Sequence, residues 1–444
     1  MHKNKMKPNR SKARGECINI GLIGFGTIGS GVAKFLLESR GVLLKRTGME
    51  FNLLWVCDKD LSSKRGVNIP KNILTRDADR VINDPGVDII VELIGGIHPA
   101  KEIIIKALSQ GKHVVTANKL LLASEGDVIF KKARECDREI CFEASVAGGV
   151  PVIKIIREGM VGNRFSSIFG ILNGTSNFIL SSMTGAGSSF KTALREAQEK
   201  GYAEKDPSLD IKGFDSSHKL AILSLLAFGK RVNLDDIYVE GIEHISNFDI
   251  QYAKELGYVI KLLAIAKRYG NELEVRVHPT FLPSGYLLSS VSGVYNAIFI
   301  EADLVGKQLF YGQGAGKLPT TSAVVSDIVD IGYNIRCGKG AAKLIVPKDT
   351  EIKSIRKMDD VVTRYYVHFS AIDKPGVLAN IADLLGRHHI SIASVVQKER
   401  SKAHIVPIVM LTHEAREKDM QAALARIDKL PAIKKKSVLI RLEK

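Results

Sequence analysis

Residues 17–29 read CINIGLIGFGTIG. An apolar run with strand-like alternation passes into Gly24-Phe25-Gly26-Thr27-Ile28-Gly29, and a helical pattern follows, VAKFLLESR. Three glycines at this spacing are weak evidence alone. Here a strand precedes them, a helix follows, and a second strand, FNLLWVC, runs up to Asp58. That context predicts a dinucleotide-binding turn. Gly24 permits the tight turn. Gly26 lets the backbone approach a pyrophosphate seated on the helix N-terminus, and Gly29 allows close helix–strand packing. Asp58 falls where an acid grips the adenosine ribose hydroxyls, which favours NAD. Lys59, Lys64 and Arg65 follow at once and suit a 2′-phosphate, which favours NADP. The two signals conflict, and use of both cofactors is compatible with each.

Three more strand–helix units extend outward: DIIVELIG (88–95), HVVTANK (113–119) and EICFEAS (139–145). Near-continuous apolar strands alternating with helices predict an α/β Rossmann-type parallel sheet covered on both faces. Ligands then bind at the strand C-terminal ends. Those ends carry Gly95-Gly96, Thr116-Ala117-Asn118-Lys119 and Glu143 to Val150. By position alone Lys119 reads equally as a surface lysine starting a helix. The carbonyls of the glycine-rich run EASVAGGVPV (143–152) can ring a hard monovalent cation, although a plain domain-crossing loop is the simpler account.

Composition bounds the answer. A chain of 444 residues, 45% hydrophobic and 25% charged, is ordinary globular usage. No apolar run is long enough for a membrane span, and the basic start, MHKNKMKPNRSKARGEC, lacks the apolar stretch of a secretory signal. Net charge is +16, from 64 Lys plus Arg against 48 Asp plus Glu. With no nucleic-acid module in view, that excess is read as attraction of anionic cofactors and as solubility. Five cysteines without CxxC spacing argue for a reducing cytoplasm and against a disulfide framework or a zinc site.

From Pro151 to about residue 311 the strand–helix rhythm stops, predicting an α+β substrate domain that can also serve dimerisation. FSSIFGILNGTSNFIL reads as strand-like around Asn173-Gly174-Thr175. Helical patterns cover 190–200 and 215–229, and a further helix is expected over 249–269. The chemistry concentrates in AEKDPSLDIKGFDSSHKLAIL, residues 203–223, which carries Glu204, Asp206, Asp210, Asp215 and Lys219. Asp215 and Lys219 share one helix face at i,i+4 spacing. A solvated acid–base pair is the bland reading. Against it, the helix is apolar almost all round beyond Lys219, which predicts burial, and a buried lysine is a natural proton donor. Pro207 and Gly213 break the chain and can fold the upstream carboxylates back over that lysine. A cationic acid among acidic anchors suits a small zwitterionic substrate.

The glycine-rich turn Tyr311 to Gly316 then opens a last helix, PTTSAVVSDIVDIG, which either returns the chain to the cofactor or simply starts a helix. The expected organisation is a basic tail (1–16), the cofactor domain (17–150), the substrate domain (151–311), the returning segment (312–337), a linker (338–361) and a terminal module (362–444). That module has a β-α-β-β-α-β, ferredoxin-like rhythm. Between its first strand and first helix lies Asp373-Lys374-Pro375-Gly376, whose free N–H groups can take a carboxylate. The module carries no acid–base cluster comparable to residues 204–219, so catalysis is expected not to need it.

Together GFGTIGSG, TANK, NGTSNFIL, YAEKDPSLDIKGFDSSHK, GQGAGKLPTTSAVVSD and DKPGVLANIADLL resemble homoserine dehydrogenases with a C-terminal ACT domain. The resemblance implies reduction of L-aspartate 4-semialdehyde to L-homoserine with NADPH or NADH, on the route to threonine, methionine and isoleucine. It implies Lys219 as proton donor and Lys119 near the reacting oxygen and the nicotinamide. Glu204 and Asp215 would hold substrate, with Asp210 in support. Phe25, Thr27 and Ile28 would join the glycines, Asp58, Lys59 and Gly316 around the cofactor. Sodium on the main-chain oxygens of Glu143, Val146, Gly148 and Val150 is implied too. Threonine sensing would fall at Asp373, Gly376, Val377 and Leu378. A homodimer or homotetramer in the cytoplasm, with no nucleic-acid or membrane partner, completes the expectation. Two other classes compete. A phosphorylating semialdehyde dehydrogenase needs a cysteine nucleophile, for which Cys136 and Cys141 are the candidates. A non-catalytic sensor needs no cluster at 204–219.

Overall fold

The first 16 residues of the chain precede β1 and, like 339–350, 398–404 and Lys444, fall outside the described part of this computed structural model, which covers 17–338, 351–397 and 405–443. The basic tail and half of the expected linker, 339–350, therefore lie outside the described residues; the other half is not a plain linker, since Ser354–Arg356 pairs as a strand with Glu272–Glu274. The chain divides into two units, Met1–Gly159 with Ala315–Val346, and Met160–Gly314 with Pro347–Lys444.

Six parallel strands build the first unit: β1 (Cys17–Ile23), β2 (Glu50–Cys57), β3 (Leu74–Thr75), β4 (Ile89–Glu92), β5 (His113–Thr116) and β6 (Ile140–Cys141). Their order, β3-β2-β1-β4-β5-β6, is that of a dinucleotide-binding sheet. All four residues of β4 and of β5 are buried, as a sheet covered on both faces requires. Helix Lys317–Arg336 belongs to this unit and sends Val324, Ile328 and Ile331 into its core. It approaches helix Thr27–Glu38 so closely that a Cβ on Gly31 would lie 2.3 Å from Thr321 Oγ1.

The second unit is organised by one mixed sheet. Its strands are β7 (Phe165–Ile171), β8 (Tyr238–Val239), β9 (Tyr258–Tyr269), β10 (Glu272–Pro283), β11 (Tyr295–Ala302), β12 (Gly306–Gln313), β13 (Ser354–Arg356), β14 (Val362–Ile372), β15 (Ile392–Gln397), β16 (Ile405–Thr412), β17 (Ala415–Arg416) and β18 (Val438–Leu442). The main path runs β12-β11-β7-β9-β10-β18-β14-β16-β15. Two sequence expectations are corrected here. The helix expected over 249–269 ends at Glu255, and Tyr258–Tyr269 is strand β9, paired along its whole length with β10. Gly257, at φ +81°, separates the two. IKLLAIA (260–266) is buried on both faces, so it lacks the alternation that tells a strand from a buried helix. Around Asn173 the expected strand has already ended at Ile171. Asn173 instead caps helix Gly174–Ala186, its Oδ1 accepting from Ser176 N at 2.8 Å.

The C-terminal β-α-β-β-α-β module folds as β14, helix Val377–Arg387, β15, β16, helix Glu417–Ile427 and β18, around Tyr365, Phe369, Ile381, Leu385, Met410 and Ile427. It does not stand apart. Strand β18 pairs with β14 on one side and with β10 on the other, Thr280 opposite Arg441 and Phe281 opposite Leu442. Buried and half-buried charges bridge the seam. Arg276 donates to Glu274 at 2.7 Å and to Glu443 at 2.5 Å, and Glu443 also accepts from Lys267 at 2.6 Å. Arg441 donates to both oxygens of Glu417 and to Glu240 at 2.7 Å. Removing the module therefore means cutting a continuous sheet, a cost the sequence did not suggest.

Candidate active site

In the first unit the glycine turn has the shape an anionic dinucleotide needs. Gly24 sits at φ +102°, where side chains are strained, and a Cβ there would meet the Leu93 backbone at 2.6 Å. A Cβ on Gly29 would lie 2.0 Å from Gly24 O, so helix and strand touch through backbone. Gly26 faces open space, with no atom within 4 Å of an added Cβ. It caps helix Thr27–Glu38, whose first turn has neither an acidic residue nor a side-chain cap. Its N-terminal N–H groups and dipole suit a pyrophosphate. Asp58 lies just past β2. Its Oδ2 accepts from Phe25 N at 2.5 Å and its Oδ1 from Asp60 N at 2.8 Å, so the carboxylate also shapes the turn. The Arg65 guanidinium lies over the Phe25 ring, 5.1 Å from its centroid and 3.7 Å from Asp58. Lys59 and Lys64 are exposed.

The next strand ends are set by a residue that sequence reading passed over. Glu92, fully buried at the end of β4, accepts from Ile94 N and Gly95 N with one oxygen and from Thr116 Oγ1 with the other. Asn118 caps the helix that Lys119 begins, and its Nδ2 reaches Gly96 O at 2.6 Å. Lys119 is half-buried at that helix start. An acid at a strand C-terminus followed by Gly-Gly was the available signal for Glu92.

In the second unit the structure brings Asp210, Asp215 and Lys219 together. Lys219 is 7% exposed, so its ammonium must be bonded by protein groups. Nζ donates to Asp215 Oδ2 at 2.7 Å and to Leu172 O at 2.6 Å. The Asn173 amide joins the two acids, donating to Asp215 at 2.9 Å and to Asp210 at 2.6 Å. Ser176 Oγ donates to Asp210 O at 2.9 Å, fixing the short helix Ser208–Ile211 against helix Gly174–Ala186. Gly213, at φ +89°, starts helix Phe214–Phe228 and so places Asp215 in its first turn. Burial lifts the Asp210 carboxyl above its ordinary value; the Asp215 charge adds to this, and the Asn173 hydrogen bond opposes it. Glu204 is exposed, and among the described residues no hydrogen bond ties its carboxylate to this cluster. The linking role of Asn173 has no local signal in the sequence, because the two acids it joins lie 37 and 42 residues away.

The loop after β6 turns sharply, with Ala147 at φ +53° and Gly148 at φ +39°. The Glu143 carboxylate accepts from Ile153 N and Lys154 N at 2.9 and 2.8 Å. Burial pushes it up to about 7 against those two hydrogen bonds and the charges of Arg157 and Lys154. Among the described residues no group of three or more His, Cys, Asp or Glu is placed to hold a metal ion. Cys141 is buried in β6, and burial pushes its thiol well above the usual value, the reverse of what a thiolate nucleophile needs. In the C-terminal module Gly376, at φ +85°, caps helix Val377–Arg387 without a side-chain hydrogen bond, and Leu378 is exposed. No described helix is long and apolar enough to cross a membrane.

Comparison with known proteins covers nearly the whole chain. Residues 24–143 match the family model for the homoserine dehydrogenase NAD-binding domain, 151–329 that for homoserine dehydrogenase, and 365–432 that for the ACT domain. The homoserine dehydrogenase of Neisseria gonorrhoeae is 44% identical over 430 residues, 96% of this chain and 98% of that one. That of Bacillus subtilis is 37% identical over 429 residues, 96% of this chain and 99% of its own. The crystal structure of a homoserine dehydrogenase from Thiobacillus denitrificans superposes with a TM-score of 0.89 at 43% identity, covering 96% of this chain and 98% of that one. A hyperthermophilic archaeal homoserine dehydrogenase in complex with NADPH matches with a TM-score of 0.61 at 27% identity, over 72% of this chain and 98% of its own.

Proposed function

The chain belongs to the homoserine dehydrogenase family, and on that premise we propose how its residues carry out NAD(P)-dependent reduction of L-aspartate 4-semialdehyde to L-homoserine. Bound at the glycine turn, the reduced nicotinamide supplies the hydride. As the aldehyde carbon is reduced, negative charge develops on its oxygen. Lys219 stabilises that charge and delivers the proton. The observation that carries this reading is the buried chain Lys219–Asp215–Asn173–Asp210, which holds an ammonium in one orientation. Asp215 and Glu204 anchor the substrate's own ammonium, with Asp210 in support. Lys119 and Gly316 serve on the cofactor unit. The main-chain oxygens of Glu143, Val146, Gly148 and Val150 would hold a sodium ion, which would supply a fixed positive charge to the loop after β6. The enzyme works as a homo-oligomer in the cytoplasm. Oxidation of NADPH and NADH with L-aspartate 4-semialdehyde tests the reading, and no turnover with either cofactor would sink it.

Cofactor choice rests on Arg65. Its position over Phe25 and beside Asp58 suits it to a 2′-phosphate better than the exposed Lys59 or Lys64. Arg65→Ala is expected to weaken NADPH binding about ten- to hundredfold, the usual worth of a hydrogen bond to a charged group, and NADH far less. Equal losses for both cofactors, measured by fluorescence titration, would show that Arg65 misses the phosphate.

Control is assigned to the ACT domain. Asp373 and the uncapped helix start at Gly376, Val377 and Leu378 suit the ammonium and carboxylate of a free amino acid, and threonine is the expected effector. Binding there changes turnover only if it favours one of two arrangements. Threonine is expected to lower activity, and Asp373→Ala to weaken its binding while turnover persists. Calorimetry showing no binding of threonine, methionine or isoleucine would leave the domain a role in assembly alone.

A further inference from the structure

We infer that Asn296 is a positioning residue for the reaction, holding the carbonyl on which the Lys219 ammonium rests. The inference builds on the reading of Lys219 as proton donor. Asn296 is the second residue of β11 and only 1% exposed. Its Nδ2 donates to Leu172 O at 3.0 Å, and the same oxygen accepts from Lys219 Nζ at 2.6 Å. Both lone pairs of that carbonyl are thus used, one by the lysine and one by the amide. Leu172 links the end of β7, Ile171, to the helix cap Asn173. Asn173 fixes Asp215, the other acceptor of Lys219. An asparagine therefore steadies each of these two acceptors. With two directions of a tetrahedral ammonium set, the third is set as well, and that direction decides whether the proton reaches its target. Loss of orientation by about 1 Å is enough to slow a reaction roughly a hundredfold.

Two further observations separate this from simple packing. Asn296 Oδ1 is buried without a hydrogen-bond partner among the described residues. A side chain kept only to fill space would be better as an apolar residue of the same size, because an unpaired buried acceptor is unfavourable. In addition, a Cβ on Gly314 would lie 2.0 Å from the Asn296 amide nitrogen, so the backbone there makes room for this amide. The molecule accommodates a half-satisfied polar group, and its one side-chain hydrogen bond among the described residues is to the carbonyl that Lys219 uses.

The test is Asn296→Leu in the full chain, which keeps the branched shape of the side chain and removes both donor and orphan acceptor. The expected result is a fall in kcat of about ten- to hundredfold, little change in KM for either substrate, and a melting temperature no lower than before. Unchanged kcat, or a loss of activity that follows a fall in melting temperature, would overturn the inference. If the leucine variant does not fold, Asn296→Ala is read the same way. Adding Asn296→Leu to Lys219→Ala should cost nothing more, because Asn296 acts through the lysine. A further full-sized loss in the double variant also defeats it. Should Lys219→Ala alone keep near-normal turnover, the underlying reading fails instead, a result distinct from an inert Asn296→Leu beside an inactive Lys219→Ala.

Discussion

Lys219→Ala is expected to lower turnover by roughly 10²–10⁴-fold, the usual contribution of a positioned general acid, while cofactor binding survives. The separation follows from where the groups sit. The glycine turn and Asp58 lie in one unit, and Lys219 lies in the other, bonded to Asp215 and Leu172. Removing the ammonium deletes the donor and leaves Asp215 with the Asn173 amide, so the acid cluster keeps a hydrogen-bonded frame. Lys219→Arg should rescue little. A planar guanidinium cannot reproduce the tetrahedral contacts of an ammonium in so small a site. Steady-state kinetics with a cofactor titration on the same preparation reads both quantities. A folded variant with near-normal turnover would remove Lys219 from the chemistry.

Much of this site was legible because its residues are close along the chain. Asp210, Asp215 and Lys219 fall on two consecutive helices, and an i,i+4 pair on an apolar helix predicts its own geometry. The glycine turn is legible for the same reason: strand, turn and helix are consecutive, and the spacing carries the shape. What was not legible depends on pairing between distant segments. Asn296 reaches Leu172 only because β11 lies beside β7 in one register, with Ala297 opposite Ile171. Nothing local to Asn296 announces that neighbour. Strand β9 failed for a different reason. Burial on both faces removes the polar residues that mark a period, and a good helix pattern just before it, DIQYAKE, invited extension past Gly257. The basic residues after Asp58 show an intermediate case. Their number was readable, but only the fold selects Arg65 by laying it over Phe25.

Arg276→Ala is expected to destabilise the second unit by about 3–5 kcal/mol, the usual cost of removing one partner from a buried ionic group. Arg276 is 1% exposed and sits on β10, with Glu274 beside it on the same strand and Glu443 just beyond β18, 167 positions away in sequence. Without the guanidinium, Glu274 loses its bonded cation, whereas Glu443 keeps Lys267. The remedy is therefore specific. Arg276→Met with Glu274→Met should regain most of the loss, because two buried charges are replaced by apolar volume. The pH dependence has a definite sign. Burial alone would raise the Glu443 carboxyl, but the charges and hydrogen bonds of Arg276 and Lys267 hold it below its ordinary value. Such a group adds stability that is present above the carboxylate range and lost as pH falls through its folded value. Arg276→Ala should flatten that acid-side dependence, so the gap to the parent narrows on acidification. Denaturant melts at neutral and acidic pH measure both effects. A loss below about 1 kcal/mol, the range of an exposed pair, would mean that water reaches this seam. The same reasoning bears on truncation. Cutting away residues 351–443 takes Glu443 from Arg276 while β8 still pairs with β10 there, takes Tyr366 and His368 from the buried Asp249, and uncovers the β10 edge around Phe281.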